Sequence, residues 1–216
     1  MADFSRLVPT ILEKGIDKVD LSMFDIATRN EILNAVGDEY LKKQKYLEAI
    51  KTFTVTGNKE RLVKVGDEFK VLSNFTNAVD AYALAGASDK LREIGDKCLR
   101  EGAMATAVKA FKNLGDTAKL LTVGEECFKK GKFDTAIEVF SILHNSDMLC
   151  KIGDACIKDG KYAYAAEAFR LSDNKEKLSY LGDVFLKENL INSAMSAYQL
   201  AGNQIMINFL KQNFGV

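Results

Sequence analysis

The chain has 216 residues, 30 basic and 30 acidic side chains and 47% hydrophobic residues, which is the composition of an ordinary globular protein rather than a disordered or membrane one. A formal net charge of zero counts against broad electrostatic attraction to nucleic acid or anionic membranes, because that attraction draws on a surplus of Lys and Arg. The sequence shows neither a charged-then-apolar leader nor an apolar run of about 18 residues, so it predicts no membrane insertion and a cytoplasmic location.

Residues 1–28 come first and fit only loosely the pattern that governs the rest. Ile11, Leu12 and Phe24 keep apolar places in that pattern, with Phe24 where a second-helix aromatic belongs, while Pro9, Gly15 and Asp20 break the others. The stretch predicts a degenerate repeat that caps a stack, as terminal repeats often do.

From there the chain repeats itself. Gly37-Asp38, Gly66-Asp67, Gly95-Asp96, Gly124-Glu125, Gly153-Asp154 and Gly182-Asp183 follow one another at 29 residues. Self-similarity at such a period marks stacked supersecondary units that bury their apolar faces only against their neighbours. Four residues before each Gly stands a Leu: Leu33, Leu62, Leu91, Leu120, Leu149 and Leu178. Just before it comes an aliphatic residue, and three after it Tyr40, Phe69, Cys98, Cys127, Cys156 and Phe185. These offsets share one face of a 3.6-residue helix, helix A of each unit. Seven residues after the Gly, Gly102, Gly131, Gly160 and Asn189 are of the types that close a helix in the left-handed conformation, whereas Gln44 and Ser73 fill that place in the first two copies.

A second apolar series begins nine residues after the Gly. It carries Ala at plus twelve in every copy (Ala49, Ala78, Ala107, Ala136, Ala165, Ala194), then an aromatic four residues later: Phe53, Tyr82, Phe111, Phe140, Phe169 and Tyr198. The spacing predicts helix B, antiparallel to helix A because the connection is so short. Gly and Ala let the two helices approach, and the aromatic fills the groove beside them. Short polar turns (Thr56-Gly57-Asn58, Gly86-Ala87-Ser88, Gly115-Asp116, Asn145-Ser146, Asp173-Asn174 and Gly202-Asn203) then supply N-cap candidates for the next helix A.

The order Leu, Gly, aromatic, Ala, aromatic resembles the tetratricopeptide repeat, as in Leu91-x₂-Ile94-Gly95-x₂-Cys98 followed by Ala107-x₃-Phe111. The unit differs in having Leu where that family has Trp, in its 29-residue length, and in lacking the Pro after helix B. It is also similar to the helical tails of coatomer-type and intraflagellar-transport-type scaffolds. The resemblance implies an all-α, right-handed solenoid of antiparallel helix pairs in a single domain. Six hairpins would occupy residues 29–202, with residues 1–28 as the cap and 203–216 as an extra C-terminal helix. In the tetratricopeptide family helix A lines the concave surface, so the resemblance makes Asp38, Asp67, Asp96, Glu125, Asp154 and Asp183 candidate ligand-contacting residues. Members that clamp a terminal carboxylate use Asn and Lys there, and this chain has acids.

The residue four after each acid is Lys42, Val71, Arg100, Lys129, Lys158 and Lys187. An acid followed by a base at i,i+4 predicts an exposed helical pair worth about 0.2 to 0.5 kcal/mol. Asp67, opposite Val71, is then the one acid without its base and the one expected to meet an external cation. The seventh helix A keeps Ile207, Leu210 and Phe214 in register, but its outer face holds Ile205, Met206 and Phe209, where the second copy has Glu60, Arg61 and Lys64. A helix apolar all round is normally covered, so Ile205, Met206, Phe209 and Phe214 form a candidate docking patch for a partner, a second copy of the chain or further residues.

Chemistry is hard to find in the rest. Cys98, Cys127 and Cys156 share one repeat position, too far apart for a disulfide or a shared metal, and predict small buried hydrophobes. Ser141, His144 and Asp147 straddle a helix end without a nucleophile elbow, and no glycine cluster suits a phosphate. The expectation is a non-catalytic scaffold with no cofactor or metal, binding a protein or peptide on the helix A face, through the C-terminal helix, or both. The alternatives are an RNA-binding helical array and an architectural segment of a coat or transport complex.

Overall fold

A computed structural model describes residues 7–216, and the first six residues assigned to the cap lie outside the described residues. Among the described residues the regular structure is entirely helical. α1 spans Leu7–Lys14 and is followed by a short 3-10 turn, Ile16–Lys18. The segment departs from a full hairpin at two of the residues that break the repeat pattern: Gly15 sits at φ 88° and the Ser22 N–H bonds the Asp20 carboxylate at 2.8 Å, so the chain turns where helix B would begin. Ile11 and Leu21 are buried beneath this segment, while Phe24 lies half-buried in irregular chain.

Thirteen helices follow. They are α2 (Ile26–Lys42), α3 (Tyr46–Thr56), α4 (Lys59–Val71), α5 (Phe75–Ala85), α6 (Ser88–Arg100), α7 (Met104–Leu114), α8 (Thr117–Lys129), α9 (Phe133–Ile142), α10 (Ser146–Lys158), α11 (Tyr162–Leu171), α12 (Lys175–Lys187), α13 (Ile191–Ala201) and α14 (Gln204–Phe214). The chain falls into two compact units, Met1–Gly115 and Asp116–Val216. In the first, α2 pairs with α3, α4 with α5 and α6 with α7; in the second, α8 pairs with α9, α10 with α11 and α12 with α13, and α14 packs on α13.

The Gly–aromatic contact joins each hairpin. A Cβ added to Gly37 would stand 2.3 Å from the Phe53 ring, one on Gly66 2.5 Å from Tyr82, and one on Gly153 2.2 Å from Phe169. No side chain fits there, which is why helix A carries Gly at a place where helix propensity alone favours Ala by about 1 kcal/mol. The six partner aromatics and all six plus-twelve alanines are fully buried.

Helix ends obey the same register. Gln44, Ser73, Gly102, Gly131, Gly160 and Asn189 all adopt positive φ, from 56° to 78°, so the first two copies close helix A in the left-handed form without Gly or Asn. At five of the six turns before a later helix A, the side chain of Asn58, Asp116, Asn145, Asn174 or Asn203 accepts the N–H three residues on. The exception is α6, where Ala87 occupies the cap and no side chain bonds.

Candidate functional site

Three of the acids that follow the repeat glycines are held by a base of the next helix A. Asp38 takes both Nε and Nη2 of Arg61 at 2.8 Å, and Asp154 takes the Lys177 ammonium at 2.8 Å on each oxygen. Asp67 accepts from the Tyr82 hydroxyl at 2.8 Å and from Lys90 at 2.9 Å. In each pair the base lies 23 residues on, five before the next repeat Gly.

Two expectations are corrected here. The same-helix bases are not the partners of these acids: Lys42 bonds Glu39 at 2.6 Å rather than Asp38. Nor is Asp67 without a cation, because Lys90 of the next helix A reaches it. Stacking brings successive helix A faces within side-chain reach, and a rule confined to one helix does not see that. Burial alone would push the Asp67 carboxyl up, but the Lys90 and Tyr82 hydrogen bonds outweigh it and hold the group below its ordinary value of 3.8. Asp96 is likewise not free. At Glu125 and Asp183 the residue 23 on is a methionine, Met148 and Met206. Glu125 is exposed, and Asp183 accepts the Tyr198 hydroxyl at 2.7 Å.

Spacing within one helix does not reveal these hydroxyl and cross-repeat partners, but two features of the sequence mark them. Tyr replaces Phe beside the Gly in the second and sixth copies only, and a base recurs at Arg61, Lys90, Lys119 and Lys177.

On α14, Ile207 and Leu210 are buried as expected. Ile205 is 81% exposed, Phe209 45% and Phe214 48%, and Met206 is half-buried. Phe214 is exposed although it is in register for the core, and its ring lies 6.3 Å from that of Phe209. Lys211 stands where every complete hairpin has its Gly. Tyr180 of α12, one period before Phe209, is also exposed.

A groove of about 450 Å³ lies among α11, α12 and α13, floored by Leu178 and Phe185. It opens beside Ala166, where the other copies have Ile50, Val79, Val108, Ile137 and Met195.

The cysteines at the shared position, Cys98, Cys127 and Cys156, are buried free thiols, and burial pushes the Cys156 thiol up to about 11. The Cys150 sulfur is half-buried near the Ser172 hydroxyl, at 3.4 Å. His144 is exposed at φ 50°, in the place where four copies have Gly. Among the described residues, no group of three or more His, Cys, Asp or Glu side chains could hold a metal ion, and no helix is long and apolar enough to cross a membrane.

The fold and site thus define an all-α helical-repeat chain whose pattern gives way to an open apolar face at α14. No family model matches the chain, and a search of curated proteins finds no relative.

Proposed function

We propose that this chain is a non-catalytic protein-interaction scaffold built of tetratricopeptide-like hairpins, and that it engages its partner through the face of α14. One observation carries this reading. Ile205 and Phe209 lie open on a helix whose equivalents carry Glu60 and Lys64, Asp89 and Glu93, or Glu176 and Tyr180. Large apolar side chains exposed together on one helix face mark an interaction surface more often than a solvated one. The helix A acids support the reading as part of the frame rather than as the contact, since Asp38, Asp67 and Asp154 are already engaged by Arg61, Lys90 and Lys177. That engagement, with the zero net charge, counts against the RNA-binding alternative.

The test is a double substitution, Ile205→Asp with Phe209→Asp, at positions whose exposure leaves the fold intact. Both are expected to abolish recovery of co-purifying proteins from the native cell or, if the occupant is a second copy, to halve the mass found by light scattering. Unchanged recovery together with unchanged mass overturns the proposal.

A further inference from the structure

The open end of the stack also holds a carboxylate whose usual partner is missing. Asn203 Nδ2 donates to the Ser179 hydroxyl at 2.8 Å, a bond 24 residues back in sequence. Asn58 makes the equivalent bond to Asn34 at 3.2 Å, and the Asn174 amide reaches the Cys150 sulfur at 3.5 Å. α14 is therefore seated on α12 as α4 is on α2 and α12 on α10. In those two pairs the base five before the next Gly, Arg61 or Lys177, grips the preceding acid. On α14 that residue is Met206, and the acid it should serve is Asp183.

The closest internal counterpart is Asp67. Its carboxylate receives a tyrosine hydroxyl and an ammonium together, Tyr82 and Lys90. Asp183 has the same tyrosine, Tyr198, and lacks only the ammonium. The second pair of that quartet changes as well: Lys70 bonds Glu93 at 2.5 Å, whereas the corresponding residues at the end of the chain are Leu186 and Phe209. Where the second and third copies carry the charged quartet Asp67, Lys70, Lys90 and Glu93, the last places hold Asp183, Leu186, Met206 and Phe209, so one carboxylate oriented by Tyr198 remains and the other three positions are apolar. Lys187, one turn beyond Asp183, stands where Lys42 and Lys158 stand, and Asp38 and Asp154 take Arg61 and Lys177 instead.

We propose that the occupant of this face is a protein segment presenting a Lys or Arg between bulky apolar residues, the base on Asp183 and the apolar residues over Ile205 and Phe209. The inference rests on the reading of α14 as the contact surface and adds the chemistry of the partner. Charge complementarity supplies the argument: the residue 23 on places a cation at Asp38, at Asp67 and at Asp154, and at Asp183 that residue is Met206. A positive side chain steers and registers the segment, and the apolar flanks contribute most of the affinity.

Fluorescence anisotropy with three short labelled peptides tests it: one alternating Lys and Leu on a helical face, one with Glu for Lys, and one with Ser for Leu. The Lys/Leu peptide is expected to bind, and Asp183→Asn to weaken it about threefold to tenfold. Met206→Lys should weaken it similarly, by seating an internal ammonium on Asp183 as Lys90 does on Asp67, and it is safe for folding for that reason. Asp154→Asn, already engaged by Lys177, should leave binding unchanged. If Lys/Leu and Glu/Leu peptides bind alike and Phe209→Ser abolishes both, the basic anchor is overturned while the α14 surface stands. If no peptide binds, or if binding ignores Asp183→Asn, Met206→Lys and Phe209→Ser, both readings fall. A dimer in solution that Phe209→Ser dissociates and the Lys/Leu peptide does not would assign the face to a second copy and overturn the inference.

Discussion

At the scale of single residues, the acid beside the repeat Gly is a cross-repeat clasp at Asp38, Asp67 and Asp154, and Asp67 shows this most clearly. Its carboxyl is held below the ordinary 3.8 because the Lys90 and Tyr82 hydrogen bonds outweigh its burial. A group whose folded value is depressed contributes stability above its unfolded value and loses it as pH falls through the folded one. Asp67→Asn is therefore expected to lower the melting temperature at neutral pH, by a contribution of no more than about 1 kcal/mol for a partly solvated pair. The gap to the unsubstituted protein should begin to close as the pH drops below about 4, where the unfolded carboxylate protonates, and vanish once the pH has fallen below the depressed folded value. Melts followed by circular dichroism across the acid range would check this, and a gap that stays constant down to the acid limit would refute the clasp. The sequence alone pointed to the wrong cation because Val71 on the same helix was visible and Lys90 on the next helix A was not. Only the stack brings positions 23 apart into contact.

At the scale of the hairpin, periodicity carried nearly everything. The Gly, the Ala and the aromatic could be assigned from spacing because each answers to one packing constraint, repeated in every copy. Helix closure is legible as residue type at Gly102, Gly131, Gly160 and Asn189, whereas Gln44 and Ser73 adopt the left-handed backbone at the same register without a residue type that signals it. Before α2 the pattern is broken where Gly15 and Asp20 break it in sequence: Gly15 holds a positive φ and the Asp20 carboxylate closes a turn, so Phe24 matches one place of the pattern without a helix around it. His144 extends the same reasoning to the end of helix B. It holds φ 50° where Gly57, Gly86, Gly115 and Gly202 hold 66° to 69°. An L side chain is disfavoured in that region, so His144→Gly is expected to relieve the strain and stabilise the protein by about 0.5 to 1 kcal/mol. The change should move the urea midpoint upward with the slope unaltered. A lower midpoint would mean that the exposed imidazole makes a contact worth more than the strain.

At the scale of the whole molecule, a repeat chain distributes its stability over neighbouring units, so function is legible only where the pattern breaks. That is why α14 could be singled out from Ile205, Met206 and Phe209 while its partner could not: the face announces that it is open, and the cation site on Asp183 emerges only when Met206 is compared with Lys90 and Lys177 in the folded stack. The same logic bears on how the chain folds. Each compact unit contains three complete hairpins, and three is about the number at which stacked repeats bury enough surface to stand alone. The second unit also begins at its own helix cap, with the Asp116 carboxylate accepting the Lys119 N–H at 3.0 Å. A polypeptide of residues 116–216 is therefore expected to keep a helical far-ultraviolet spectrum and to melt cooperatively, because α8 to α14 retain their hairpin contacts within the unit. It should also keep the α14 face, so the peptide that binds the full chain should bind it with comparable affinity. A fragment with the spectrum of an unfolded chain would show that three hairpins are too few here and that cooperativity runs through the entire array.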